Sequence, residues 1–219
     1  MATTAQTPVE DIKLIIPPID VRTMDITLVG DSPLIVHRWS EKAKKGILDK
    51  QMKKAKTAKE AKDPQRDFLD SLYWLSDRPA NNDAAAKLLS IATFGFPSVA
   101  FKASAVTACG EVDGMKMTQA RRRFHVDGEF VTILGVPTMR DDMVRVGMGT
   151  ADIRFRGEFK TWRAIVRLSF NASAISPEQI INLFNLAGFG VGIGEWRAEK
   201  EGSYGRFHVA TEVDMQTAA

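Results

Sequence analysis

The sequence predicts one α+β domain that carries a helical, lysine-rich insertion, and three observations lead there. Of its 219 residues 44% are apolar and 26% charged, the balance of a globular chain able to bury a sizeable core. Period-two alternation near the start (Met24 to Val29) and again at 162–170 marks half-buried strands. The chain then runs helix, loop, strand to its end, so strand 162–170 opens one half of a βαββαβ unit. The first strand and a helix at 98–109 supply the other half, which makes the expected core ferredoxin-like, or RRM-like.

Taken in order, residues 1–12 read as a flexible tail, and Pro17-Pro18 breaks any element containing Leu14 to Ile16. Met24-Asp25-Ile26-Thr27-Leu28-Val29 is a strand that ends at the turn Gly30-Asp31-Ser32-Pro33, and Leu34-Ile35-Val36 continues as an extended segment. Ser40 can cap a helix over the lysine-rich stretch, whose Ile47, Leu48 and Met52 are too sparse for deep burial. Asp63-Pro64 interrupts it, and Phe68, Leu69, Leu72, Tyr73 and Leu75 then recur at helical spacing. Residues 40–82 are thus expected to be a basic helical insertion.

Ser98 to Cys109, introduced by Phe96-Pro97 and rich in small residues, is the next expected helix, and 110–123 is expected to be a loop with a basic end. Phe130 to Val136 and Asp152 to Arg156 read as strands. Trp162, Ala164, Val166, Leu168 and Phe170 fall on one face of a further strand, with Arg163 and Arg167 on the other. Ser176-Pro177-Glu178-Gln179 is a capping box that opens a helix with an apolar stripe of Ile180, Ile181, Leu183, Phe184 and Ala187. Gly188 is the expected left-handed stop. Tyr204 to Val213 alternates as a closing strand, and 214–219 is expected to be a second tail.

Charge is distributed unevenly. Between Glu41 and Lys62 nine lysines stand against three acids, a local +6 in a chain whose formal charge is +3. Such a segment attracts polyanions and makes their binding salt-dependent, because each neutralised phosphate releases counterions. Arg121, Arg122 and Arg123 are consecutive. Arg38 abuts Trp39, Trp196 abuts Arg197, and Tyr204 and Phe207 flank Arg206. Rings beside guanidinium groups suit single strands, whose bases stack while cations hold the backbone.

Six of the sixteen glycines lie between Gly188 and Gly205. Glycine leaves backbone N–H groups accessible, so a loop of this kind can approach phosphates. The spacing Gly190, Gly192, Gly194 lacks the third glycine of a dinucleotide fingerprint and follows a helix, and no GK[ST] of a Walker loop occurs. The pattern GIGEWRAEKEGSYGRFHV resembles the C-terminal glycine-rich loop of the repeat-associated mysterious protein (RAMP) superfamily, the ferredoxin-like RNA-binding proteins of CRISPR effector complexes. Gly192, Gly194, Gly202, Gly205 and Arg206 stand in or near the family's positions. FPSVAFKASAV resembles the family's helix start, with Pro97, Ser98 and Lys102 matching and Ala103 in place of the usual glycine.

The resemblance implies a binding surface for a nucleic-acid backbone: Lys102 from its helix start, the amides of 190–205, and Arg197, Lys200 and Arg206. Arg38, Lys53, Lys54, Arg121, Arg122, Arg123 and Trp196 complete the expected contact set, with Gly192, Gly194 and Gly205 shaping the loop. The 40–82 insertion corresponds in position to the thumb-like elaborations of backbone subunits. A CRISPR subunit and a phage protein using the same fold on single-stranded RNA or DNA both fit this pattern. The leading expectation is a non-catalytic single-stranded nucleic-acid-binding protein that lines up in copies along the strand.

Two alternatives stay open. One is a metal-independent RAMP-type endoribonuclease with His37 as general base, or with Asp31, which resembles a loop aspartate of RNA-cutting members. The other is a viral structural or assembly protein. Neither metal nor cofactor is expected, since Asp141-Asp142 and the Asp67, Asp70 pair lack a nearby His or Cys. Cys109 is the one cysteine, so it forms no internal disulfide and no zinc cluster. The N-terminus has neither a basic start nor an apolar core, and no apolar run nears the roughly 20 residues of a membrane span. A cytoplasmic compartment, with no membrane partner, is the expectation.

Overall fold

The computed structural model describes residues 16–54, 61–146 and 149–216. The expected tail 1–12 lies outside them. In chain order the elements are β1 (Val21–Gly30), β2 (Leu34–Val36), α1 (Glu41–Gln51), α2 (Pro64–Ser71) and α3 (Asn82–Lys87). Then come β3 (Phe94–Pro97), α4 (Ser98–Ala108), α5 (Met117–Arg123), β4 (Phe124–Val126), β5 (Phe130–Leu134) and β6 (Pro137–Val146). β7 (Thr150–Phe159), β8 (Arg163–Asn171), α6 (Pro177–Gly190), β9 (Phe207–Val209) and α7 (Glu212–Gln216) complete the chain.

The architecture is α+β with antiparallel sheets. The main sheet has the order β3-β5-β8-β1-β9, with β4 also on β8, and a smaller one runs β2-β7-β6. The β1–β8 register sets Leu28 opposite Ala164 and Ile26 opposite Val166. These residues, with Leu168 and Phe170, join Phe101 and Ala105 of α4 and Leu183 and Phe184 of α6 in one core. The other face of β1 and β8 carries Thr23, Asp25, Thr27, Ile165 and Arg167 and no aromatic ring.

Local chemistry explains most of the ends. Ser40 Oγ accepts from the Ala43 amide at 3.2 Å to start α1. The α6 box closes as expected, with Ser176 Oγ accepting from the Gln179 amide at 3.2 Å and Gln179 Oε1 accepting from the Ser176 amide at 3.0 Å. Gly188 is not a stop. The helix continues to Gly190, and Gly188 serves close packing, because a Cβ there would lie 1.8 Å from the Phe207 carbonyl oxygen on β9.

Elsewhere tertiary pairing overrides the local pattern. The helical spacing through Leu75 ends at Ser71, because the Leu75 amide donates to Thr93 O at 2.9 Å and Trp74 bridges to Phe94. Among the described residues of 40–82, the helices are therefore α1 and α2, and α3 begins only at Asn82. The expected loop at 110–123 holds a single 3-10 turn and α5, which buries only Ala120 and so shows no period. The closing strand is cut to Phe207–Val209, because Asp214 Oδ2 accepts from the Thr211 amide and hydroxyl (2.8 and 2.6 Å) and starts α7. Residues 214–216 thus belong to a helix. β6 has no apolar alternation to betray it: its inner face is Arg140 and Asp142, ion-paired at 2.8 Å.

Candidate nucleic-acid interface

Strand β2 is the hinge of the site. Its three residues are buried, and it delivers His37, Arg38 and Trp39 to the surface in succession. The glycine loop packs beside it: the Glu195 amide donates to Ile35 O at 3.0 Å and the Gly205 amide to Pro33 O at 2.8 Å. Gly194 (φ +81°) is required, since a Cβ would lie 2.5 Å from Ile35 O. Facing this loop, α4 presents Ala100, Ala103 and Thr107, and the small side chains leave a cavity of about 300 Å³ between helix and loop. Its floor is apolar (Ile35, Phe96, Val191, Ile193), and His37, Tyr73, Glu195 and Arg197 stand on its walls.

Burial, helped by the Arg156 charge, pushes the His37 imidazole below its usual value. It is therefore neutral at pH 7 and able to accept a proton. Burial likewise raises the Tyr73 hydroxyl. On the far side of α4 a second cavity, about 220 Å³, is lined by Lys102, Thr107, Met117 and Arg121. Lys102 donates to His125 Nδ1 at 3.0 Å, and burial lowers its pKa. Among the described residues, neither Arg121 nor Arg122 has an acidic partner.

Two more cavities continue past His37. One of about 280 Å³ is walled by Arg38, Lys42, Lys62 and Arg154 together with Asp67 and Asp152, and Asp152 pairs with both Lys62 and Arg154. The next, about 500 Å³, is walled by Arg38, Trp39, Arg66 and Arg78. Adjacent cavities share walls: Ala103 and Thr107 join the first pair, His37 the second, and Arg38, Ser40 and Lys42 the third. The result is one groove that runs from Arg121 over α4, past His37, to Arg78.

The structure sorts the expected contact residues. Lys102, Arg121, Gly192, Gly194, Arg197 and Arg38 line the groove. Arg122 and Arg123 follow Arg121 on α5 without lining it. Trp196 sits on the loop beside Arg197, exposed and at φ +55°. Lys53 and Lys54 line none of the four cavities, and Lys54 pairs with Asp49 at 3.1 Å. Gly205 is buried, and Arg206 Nε is buried with no hydrogen-bond partner among the described residues.

The loop is less cationic and less open than expected. Glu199 takes Arg197 at 2.8 Å and Lys200 at 3.5 Å. The amides of Ile193, Glu195, Glu199, Gly202 and Tyr204 donate to backbone carbonyls. This narrows the phosphate-ready amides, leaving those of Gly194, Trp196, Arg197, Ala198 and Ser203 without a hydrogen bond among the described residues. Asp31 is also engaged, its Oδ1 lying 2.7 Å from His208 Nδ1. Tyr73, Thr107 and Arg78 are groove residues that sequence reasoning passes over, and Arg154 shows there only as one of an alternating pair with Arg156.

Among the described residues no group of His, Cys, Asp and Glu could hold a metal ion, and no helix is long and apolar enough to cross a membrane. No protein-family model and no curated protein matches the chain. Among solved structures, Cmr6 from Pyrococcus furiosus is similar at 11% identity and TM-score 0.43, over 88% of this chain and 100% of that one.

Proposed function

We propose that this protein binds single-stranded RNA or DNA along the groove, on a ferredoxin-like core of RAMP type. The observation that carries the reading is the adjacency of four cavities whose walls bring Arg121, Lys102 and Arg38, and the acid-paired Lys62, Arg154 and Arg78, onto one path. Cations spaced along a track neutralise successive phosphates, whereas the aromatic-free face of β1 and β8 offers bases no platform of the kind RRM sheets use. The sheet order β9-β1-β8-β5, with α4 and α6 as the two crossovers, supports the ferredoxin-like assignment. Copies line up along the strand through the lysine-rich segment, where α1 buries none of its own residues yet exposes Ile47 and Leu48.

Fluorescence polarisation with single-stranded 20-mers, titrated with salt, tests this. With roughly four to six phosphates neutralised, log K should fall with a slope of about −3 to −4 per decade of salt. Absence of binding at low salt, or a flat salt response, refutes it.

One observation favours a second reading, metal-independent RNA cleavage: His37 is half-buried, its imidazole pKa held down by burial, and it lines the central cavity together with Tyr73. His37 would take the proton of a ribose 2′-hydroxyl as that oxygen attacks the adjacent phosphorus. The bond to the 5′-oxygen breaks, and a proton from water completes the 5′-hydroxyl product beside a 2′,3′-cyclic phosphate. Incubation of RNA in EDTA decides: cleavage lost in His37→Ala, with DNA left intact, establishes it, and intact RNA removes it.

A further inference from the structure

We propose that the bowl around Trp39 is a base-stacking station, holding one nucleotide of the bound strand with its base on the indole and its phosphate on Arg38. The inference rests on the strand-binding reading and adds to it a residue and a place. Of the four tryptophans, Trp162 is buried and donates to Ser32 O at 2.9 Å, and Trp74 is part-buried and donates to Leu69 O at 3.0 Å. Trp196 and Trp39 are the exposed pair, at 45% and 65%. Trp196 lines none of the four cavities. Trp39 stands in the largest of the four, about 500 Å³, enough for a nucleotide.

The charges around Trp39 favour a phosphate there. Arg38 Nη2 lies 4.0 Å from Glu41, beyond hydrogen-bond range, while Glu41 is held by Lys44 at 2.7 Å. Asp70 is neutralised by Arg78 at 2.5 Å, and Asp63 accepts from the Arg66 amide at 3.0 Å as the cap of α2. Each acid of the bowl thus has a basic or backbone partner, and Arg38 lines the cavity with Trp39, its own acid contact the long one to Glu41. A strand that leaves the central cavity past His37 meets Arg38 first and Trp39 next. An aromatic face accepts any base, so the station binds without sequence preference.

The test uses the full chain and a fluorescein-labelled dT15. Trp39→Ala should weaken binding about tenfold, and Trp39→Phe should retain most of it. In Trp196→Phe, saturating unlabelled dT15 should quench the tryptophan emission, and the quenching should vanish in the Trp39→Phe, Trp196→Phe double variant. Wild-type affinity in Trp39→Ala, or emission unchanged by saturating dT15 in Trp196→Phe, overturns the station while the groove stands. If the wild-type protein binds no dT15 at low salt, the strand-binding reading falls and takes the station with it.

Discussion

Ala103 is the residue at which the groove can be addressed with least damage to the fold. It is exposed on α4 and lines both the Lys102 cavity and the His37 cavity. Glutamate and lysine are nearly as good helix formers as alanine, so either substitution should cost less than about 0.7 kcal/mol of stability. A strand crossing α4 would pass the new charge at roughly 5 Å. Coulomb's law at an effective dielectric between that of water and that of a protein surface gives about 1 to 3 kcal/mol at that distance. Ala103→Glu should therefore weaken binding about five- to 150-fold at low salt. Ala103→Lys should strengthen it and steepen the salt slope by about 0.7. Polarisation with the single-stranded 20-mers reads both, and a thermal melt checks the fold. Wild-type binding in both folded variants would mean that the strand does not cross here, and equal weakening in both would indicate crowding rather than charge.

Three further outcomes follow from the geometry. His208 lies between Asp31 (2.7 Å) and Asp214 (3.2 Å), and although burial opposes it, these hydrogen bonds raise the imidazole pKa, while Thr211 chiefly pushes Asp214 down to about 2. The histidine's share of stability is full below its ordinary value near 6.5 and is lost as pH rises through the folded value; that of Asp214 is full above its ordinary range near 4 and is lost as pH falls toward 2. The Tm difference between wild type and His208→Gln should peak between about pH 4 and 6.5, and a flat difference contradicts the clamp. Gly188→Ala forces a Cβ to within 1.8 Å of Phe207 O and should destabilise by about 3 kcal/mol or unfold the chain, whereas Gly190→Ala, with open space around it, should be neutral or stabilising by up to about 1 kcal/mol in a denaturant melt. Arg140 pairs with Asp142 (2.8 Å) and Glu158 (2.9 Å) and lies 4.8 Å over the Tyr204 ring, joining the β6–β7 hairpin to the glycine loop. Because Arg140 is 26% exposed, Arg140→Ala should cost about 2 kcal/mol, less than the loss of a wholly buried pair, and an unchanged denaturation midpoint would refute the link.

Much of the fold is legible residue by residue. β1, β8 and α6 carry their own period, α4 is marked by Pro97 and its small residues, and Ser40 and Ser176 announce their helices, because a cap or an apolar stripe is a matter of neighbours three or four positions apart. The failures have equally concrete causes. α5 buries one alanine and β6 turns ion pairs inward, so neither has an apolar pattern to read. Leu72 to Leu75 carry a helical pattern that Thr93 and Phe94 overrule from twenty residues away. In the site, Lys102, Arg121 and His37 stand out as residue types, but nothing near them in the chain says that they share a groove.

The sequence by itself determined the α+β class, the helix caps, the concentration of lysines at 41–62 and the small side chains that open α4. Each of these depends on composition or on residues within one helical turn. Only the tertiary structure decided which cations face one path, that Glu199 holds Arg197 and Lys200, and that most of the loop's amides are already bonded. Those outcomes hang on contacts such as the Glu195 amide to Ile35 O and the Gly205 amide to Pro33 O. They join residues more than a hundred positions apart, and long-range closure of that kind leaves no periodic trace in the chain.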